Sequence, residues 1–245
     1  MSGEERLPWK RLTAEAIAIV GSILLAFSID AWWEERQERA EEREILIALR
    51  AELEYNIKQI DLSLEFQNLL LEPTTRLLKV GADRTEMSVD ELEQLLGTIY
   101  WTHTTELATG VFQSLVQGGL LSLIENRELS SQIAALMTSY EEMLYIEGFR
   151  ASTFVAEFGP YLSDKLNMTR LINDYPIKPT ESERRYPPVP EMDFGTQVEI
   201  LADPIFHAIL ITMYTDHYDA IFSLDETKSA LVALISNLDE YLVTI

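Results

Sequence analysis

Between positions 16 and 29 the chain carries no charged residue and no proline. With its margins the apolar run covers residues 12–33. As a helix this spans about 33 Å at ~1.5 Å per residue, against a bilayer core of ~30 Å. A transmembrane helix is predicted. Trp9 and Arg11 stand at one end, and Trp32, Trp33 and Arg36 at the other. Amphipathic rings and basic side chains settle at the membrane surface, so these five read as interface anchors. The run is apolar all round, where a buried core helix of a soluble protein usually shows an apolar face. A cleaved signal peptide is the competing reading, with Ala26-Phe27-Ser28 as the small-residue site. The helical register continues past Trp33, which favours an uncleaved anchor.

Small residues recur at every fourth position in this run: Ala14, Ala18, Ser22 and Ala26, with Asp30 continuing the row. Such a row lets a second helix approach closely in lipid, so these five are the predicted helix-packing interface. The plainer account is that alanine is common in membrane helices. An ionisable group near hydrocarbon is costly and usually faces protein or water, which favours the packing face.

Beyond the span, residues 34–44 hold one apolar position, Ala40. They predict a solvated helical stalk, with Glu35 and Arg39 paired one turn apart and Arg36 reaching back over Trp32 or Trp33. From Ile45 an apolar seam begins: Leu46, Leu49, Leu53, Ile57, Ile60, Leu64, Leu71. It reads as a near-heptad with a slip after Leu53, a weak coiled-coil signal that suits one helix of an intramolecular bundle better than a seam between copies. Pro73 is expected to end or kink this helix. A short helix over 75–80 should stop at Gly81. Ser88 with Glu91 forms a capping box ahead of Leu92, Leu95, Leu96 and Ile99. Residues 102–109 read as loop, 111–116 as a short helix broken at Gly118-Gly119. Asn126 is an N-cap for a long helix through Leu129, Ile133, Leu136, Tyr140 and Leu144, with a bend expected at Gly148 and a break at Gly159-Pro160. Prolines at 176, 179, 187, 188 and 190 mark 171–202 as a surface linker. Asp203-Pro204 opens the last helix, which runs to about residue 242 and is long enough to lie antiparallel to the earlier ones.

The predicted fold class is therefore all-α: an N-terminal transmembrane helix continuing into a long helix, plus an antiparallel helical bundle domain. The segments are 1–11 tail, 12–33 span, 34–72 stalk and amphipathic helix, 73–170 bundle, 171–202 linker and 203–245 final helix.

Composition narrows the function. A hydrophobic share of 47% supplies a core, so the chain is not a disordered tail. The net charge of −22 repels nucleic acid and anionic lipid heads. The absence of cysteine removes disulfides, thiolate metal sites and thiol catalysis. Of three histidines, His103 sits in a polar loop beside Glu106. His207 and His217 are ten residues apart, about 80° out of register on one helix, and make poor co-ligands. Asp216 and Asp219 flank His217 and suggest a metal, but a hydrogen-bonded core histidine is the better reading. No metalloprotease, phosphate-loop, serine-hydrolase or dinucleotide motif occurs. Asn167-Met168-Thr169 matches a glycosylation acceptor, a pattern of low specificity. The expectation is no enzyme, with no catalytic, cofactor-binding or metal residues.

Basic flanks are tied at Arg6, Lys10, Arg11 against Arg36, Arg39, Arg43. A short tail before an uncleaved anchor usually stays inside. This predicts a bacterial inner-membrane protein with a cytoplasmic N-terminus and a periplasmic domain. Its expected partners are the lipid bilayer and other transmembrane helices, not nucleic acid. Function is expected to lie in assembly, as an accessory subunit or homo-oligomer. A periplasmic helical sensor or ligand-binding module is the alternative.

Glu15, Ser22, Ala26 and the collar Trp32-Trp33-Glu34-Glu35-Arg36 are similar to the anchor of an uncharacterised bacterial family of single-span membrane proteins. Phe112-Gln113-Ser114-Leu115 to Gly119, then Leu123-Ile124-Glu125-Asn126 and Leu129, resemble that family's central turn and helix. Residues 201–206 resemble the opening of its last helix. The family collar has asparagine near Trp32, from which Asp30 and Trp33 here depart. The resemblance covers most of the chain and implies the architecture alone.

Overall fold

The computed structural model describes residues 9–83, 86–165 and 197–245, and among these every regular element is helical. Helix α1 (Trp9–Asp83) is 75 residues long, about 110 Å at ~1.5 Å per residue. It is followed by α2 (Val89–Ile99), α3 (Gly110–Val116), a 3-10 turn (Leu120–Leu123), α4 (Arg127–Thr153), a π-helical turn (Phe154–Phe158), α5 (Gly159–Lys165), a second 3-10 turn (Gln197–Ala202) and α6 (Pro204–Leu242).

One long helix contains the apolar N-terminal segment, the exposed stalk and a packed portion that begins at the buried Glu42. The expected end or kink at Pro73 does not occur as a break. Proline removes the amide that would bond the Leu69 carbonyl. On either side, Leu70 and Leu77 are fully buried and hold the axis in the core. The hydroxyls of Thr74 and Thr75 bond the carbonyls of Leu70 and Leu71 at 2.8 and 2.7 Å. The stop expected at Gly81 is likewise absent. Gly81 serves a close approach: a Cβ there would stand 3.1 Å from Nδ1 of His207 and 3.3 Å from the Leu201 carbonyl.

The slip expected after Leu53 is corrected too. Buried positions on α1 alternate by four and three without interruption from Glu42 through Leu46, Leu49, Leu53, Asn56, Ile60, Ser63, Gln67, Leu70 and Thr74 to Leu77. This is an unbroken heptad seam in which polar residues hold several core positions. Ile57, Leu64 and Leu71 flank it half-buried. The same spacing runs along α6 from Phe206 to Leu238 and along α4 from Leu129 to Glu147.

Helix α6 packs against both α1 and α4. Its direction is opposite to that of α1: Arg43 reaches the Leu242 carbonyl at 3.2 Å, Lys228 pairs with Asp61 at 2.6 Å, and His217 meets Gln67 at 2.9 Å. It also opposes α4, through Asn237 with Gln132 at 2.8 Å and His217 with Arg150 at 3.2 Å. The core has two parts. One lies between α1, α3, α4 and the end of α6; the other gathers α2, Leu77, Phe158, Leu162 and the start of α6.

Local sequence explains the element ends. Ser88 accepts from the Glu91 amide, Asn126 from the amides of Glu128 and Leu129, and Asp203 from that of Ile205. Gly119 takes φ 76°, a left-handed conformation that suits glycine. The break expected at Gly159-Pro160 is instead a π-helical turn. The Gly159 amide bonds the Phe154 carbonyl, and Pro160, which has no amide, begins a tighter turn without losing a donor. Gly148 leaves α4 unbroken. Most of the predicted linker lies outside the described residues, but its end, Gln197–Ala202, is helical and buries Ile200.

Candidate functional site

The apolar part of α1 is the first candidate surface. One helix here is long and apolar enough to cross a membrane, and none of its apolar window is buried. Ala18, Ser22, Ala26 and Asp30 are all exposed, spaced along the helix as the sequence requires. The Ser22 hydroxyl donates to the Ile19 carbonyl at 2.8 Å, so its proton is satisfied within the helix. The side chains of Arg11 and Ala14 lie outside the described residues. Trp9 is exposed. At the other end the rings of Trp32 and Trp33 stand 6.5 Å apart, and the Arg36 guanidinium lies 6.0 Å above Trp32. That distance is at the outer limit for a cation–π contact.

Where α1 enters the packed helices, Glu42 is 1% exposed. Its carboxylate receives Nη1 of Arg39 at 2.8 Å, the amide of Glu125 at 2.9 Å and the hydroxyl of Tyr241 at 2.9 Å. Arg39 also pairs with Glu125. One buried charge therefore ties α1, the start of α4 and the end of α6, with donors enough to offset its desolvation. About three turns further on at ~3.6 residues per turn, Glu52 accepts from the amides of Val111 and Phe112 at 2.8 and 2.9 Å. It supplies the cap that Thr109 does not give α3.

The polar members of the α1 seam form successive layers. Asn56 exchanges hydrogen bonds with the backbone of Ala108 at 2.7 and 2.8 Å and donates to the Tyr140 hydroxyl at 2.9 Å. Burial pushes that phenol up to about 12. Ser63 meets the Thr105 hydroxyl at 2.7 Å. Thr105 in turn gives its amide, at 3.0 Å, and its hydroxyl to the buried carboxylate of Glu147. These contacts hold the irregular segment 101–109 between α1 and α4.

The third layer joins Gln67, His217 and Arg150. Nδ1 of His217 lies 2.9 Å from Oε1 of Gln67 and 3.2 Å from Nη2 of Arg150. A guanidinium only donates, so beside it Nδ1 must carry the lone pair and the proton sits on Nε2. That one lone pair faces both neighbours, and among the described residues Nε2 of His217 and Nε2 of Gln67 have no hydrogen-bond partner. Burial, first, and the charge of Arg150, second, push His217 down to about 3, so the ring is neutral at any ordinary pH. Burial also lowers the Arg150 guanidinium, against the pull of Asp216 and Glu147. A cavity of about 30 Å³ opens beside this layer, between Trp101, Arg150, Phe154, Asp216 and His217. It is the size of one or two water molecules.

Sequence reasoning placed His217 in the core with a hydrogen-bonded partner, and the structure places it there. It brings Trp101 to the cavity but leaves His103 exposed in the loop, its ring 5.3 Å from Phe66. Asn56, Ser63, Gln67, Thr105, Glu147 and Arg150 were not anticipated. Except for Thr105, which lies in the 101–109 segment, their signal was available: the four-three spacing continues through them once polar residues are admitted. Among the described residues no cluster of three histidines or carboxylates could hold a metal ion. Compared with known protein families, curated proteins and solved structures, the chain finds no match.

Proposed function

We propose that this is a single-span membrane protein that acts by assembly. In this reading the apolar part of α1 crosses a bacterial inner membrane, the N-terminus is cytoplasmic, and the packed helices form an antiparallel bundle in the periplasm. The resemblance to single-span bacterial proteins of unknown function supports the same architecture. The observation that carries the reading is the bare circumference of α1 over its apolar window: none of the described residues covers it. In lipid, close backbone contact is what draws helices together, and the row Ala18, Ser22, Ala26, ending in Asp30, offers it to a partner helix or a second copy.

The test is crosslinking in native membranes. Ala18→Leu with Ser22→Leu should release the protein from its complex while leaving it inserted, since both changes raise hydrophobicity. Ile17→Leu with Leu24→Ile, off the row, should change nothing. Unaltered assembly of the double-leucine variant would sink the reading. A reporter active only outside the cytoplasm, fused after Ile245, should be active; activity of a cytoplasm-dependent reporter alone would reverse the topology. One observation favours a second reading, a periplasmic sensor working with a separate signalling partner: the core contains buried polar residues, and one of its polar layers opens on a cavity beside Trp101.

A further inference from the structure

The cavity layer contains a carboxylate whose surroundings do not match its charge. Asp216 is half-buried on α6, one residue before His217, and lines the cavity. Among the described residues it accepts no hydrogen bond. Arg150, whose charge acts on it, directs Nη2 to His217 and closes no ion pair with Asp216. Arg150 is also shared with the buried Glu147, one turn earlier on α4. Among the described residues the other charges facing Asp216 are acidic: Glu157 from the π-helical turn and Asp219 from α6 itself. From α1 the layer receives only the uncharged Gln67, and from the 101–109 segment only Trp101 and Thr102. His217 stays neutral and contributes no charge. Among the described residues one guanidinium thus serves two carboxylates, Glu147 buried and Asp216 half-buried, with two more acids at the rim.

We infer that Asp216 is an acid-responsive latch: when it takes up a proton the end of α4 and the π-helical turn close on α6, and when it ionises they loosen. The cavity gives this region room to shift, and the π-turn is the least regular part of the helical path. Phe154 and Phe158, 5.5 Å apart, lie in that turn and line the same cavity. The direction follows from the causes. Burial raises the affinity of Asp216 for a proton, Arg150 opposes this, and Asp219 and Glu157 add to it. The folded state therefore holds the proton more tightly than the unfolded chain. The resulting stabilisation is complete in acid and is lost as pH rises through the raised folded value. Salt-bridged carboxylates give the opposite trend.

The experiment compares the full-length protein in mild detergent with Asp216→Asn, which mimics the protonated state at every pH. At pH ~7 the variant should unfold about 2–4 °C higher. Its amides over 147–165 should exchange several-fold more slowly than in the wild type. As the pH is lowered and Asp216 takes up its proton, the difference should close, because the wild type then carries the same uncharged group as the variant. Asp225→Asn, an exposed acid on the same helix, reports general relief of negative charge, and its effect should be small and equal at neutral and at lower pH. The latch is overturned if Asp216→Asn is no more stable than the wild type at neutral pH. It is equally overturned if the difference persists in acid, if Asp225→Asn reproduces it, or if slowed exchange spreads over all the helices.

Discussion

The hydroxyl of Tyr241 donates to the buried carboxylate of Glu42 across 2.9 Å, joining the end of α6 to the first buried position of α1. The two residues are 199 apart in sequence, so the contact closes nearly the whole packed domain. Tyr241→Phe should cost about 1 kcal/mol, the net worth of an ordinary hydrogen bond. Glu42→Leu should cost more, about 3 kcal/mol, because the Glu125 amide and the Tyr241 hydroxyl lose their acceptor together. Thermal unfolding of the two variants checks the ranking. Equal costs would show that the carboxylate is not the shared centre.

Glu147 holds the 101–109 segment through both the amide and the hydroxyl of Thr105. Thr105→Val keeps the shape but strands Ser63 and one carboxylate oxygen. A loss of about 1–3 kcal/mol is expected. Thr104→Val, at the exposed neighbour, should stay within about 0.5 kcal/mol. Denaturant midpoints at constant slope would measure both.

His217→Gln keeps a polar group in the layer but not the ring. It should lower stability by about 1–2 kcal/mol and leave the metal content of the purified protein unchanged. Loss of a stoichiometric metal would overturn the view of this residue as a packing and hydrogen-bonding group.

The continuous heptad makes a prediction that the slipped register does not. Leu53→Ala and Ile60→Ala, at fully buried seam positions, should each cost about 2–5 kcal/mol. Ile57→Ala and Leu64→Ala, half-buried beside the seam, should cost distinctly less. Comparable losses at all four would restore the slipped reading.

The helical order and most element ends were legible because their signals are local. Ser88, Asn126 and Asp203 cap as their sequence context implies, and the apolar run 16–29 announces its length directly. A seam traced through apolar residues alone slips after Leu53. Asn56, Ser63 and Gln67 belong to the seam, but their burial depends on Ala108, Thr105 and His217, partners that adjacent sequence does not disclose. Pro73 and Gly81 misled in a related way. Their intrinsic preferences point to a helix end, while the burial of Leu70 and Leu77 and the approach of His207 set the outcome. The candidate site was half visible: the row Ala18, Ser22, Ala26 can be counted in the sequence, but nothing there shows that Arg150 and Glu147 meet the layer of His217.

The unbroken course of α1 has a mechanical meaning. A rod without a hinge at Pro73 or in the stalk transmits angle as well as position. From Glu42 to Asp83 it extends about 60 Å at ~1.5 Å per residue. If the lower portion leans by ~10°, within the range of tilts that membrane helices adopt, the far end swings sideways by roughly 10 Å. Because α6 is fastened to α1 from Tyr241 to His207, the whole domain would move as the arm of a lever. Under the proposed membrane span, a change of tilt imposed by a neighbouring helix would thus become a displacement large enough to bring the distal end into, or out of, reach of another protein.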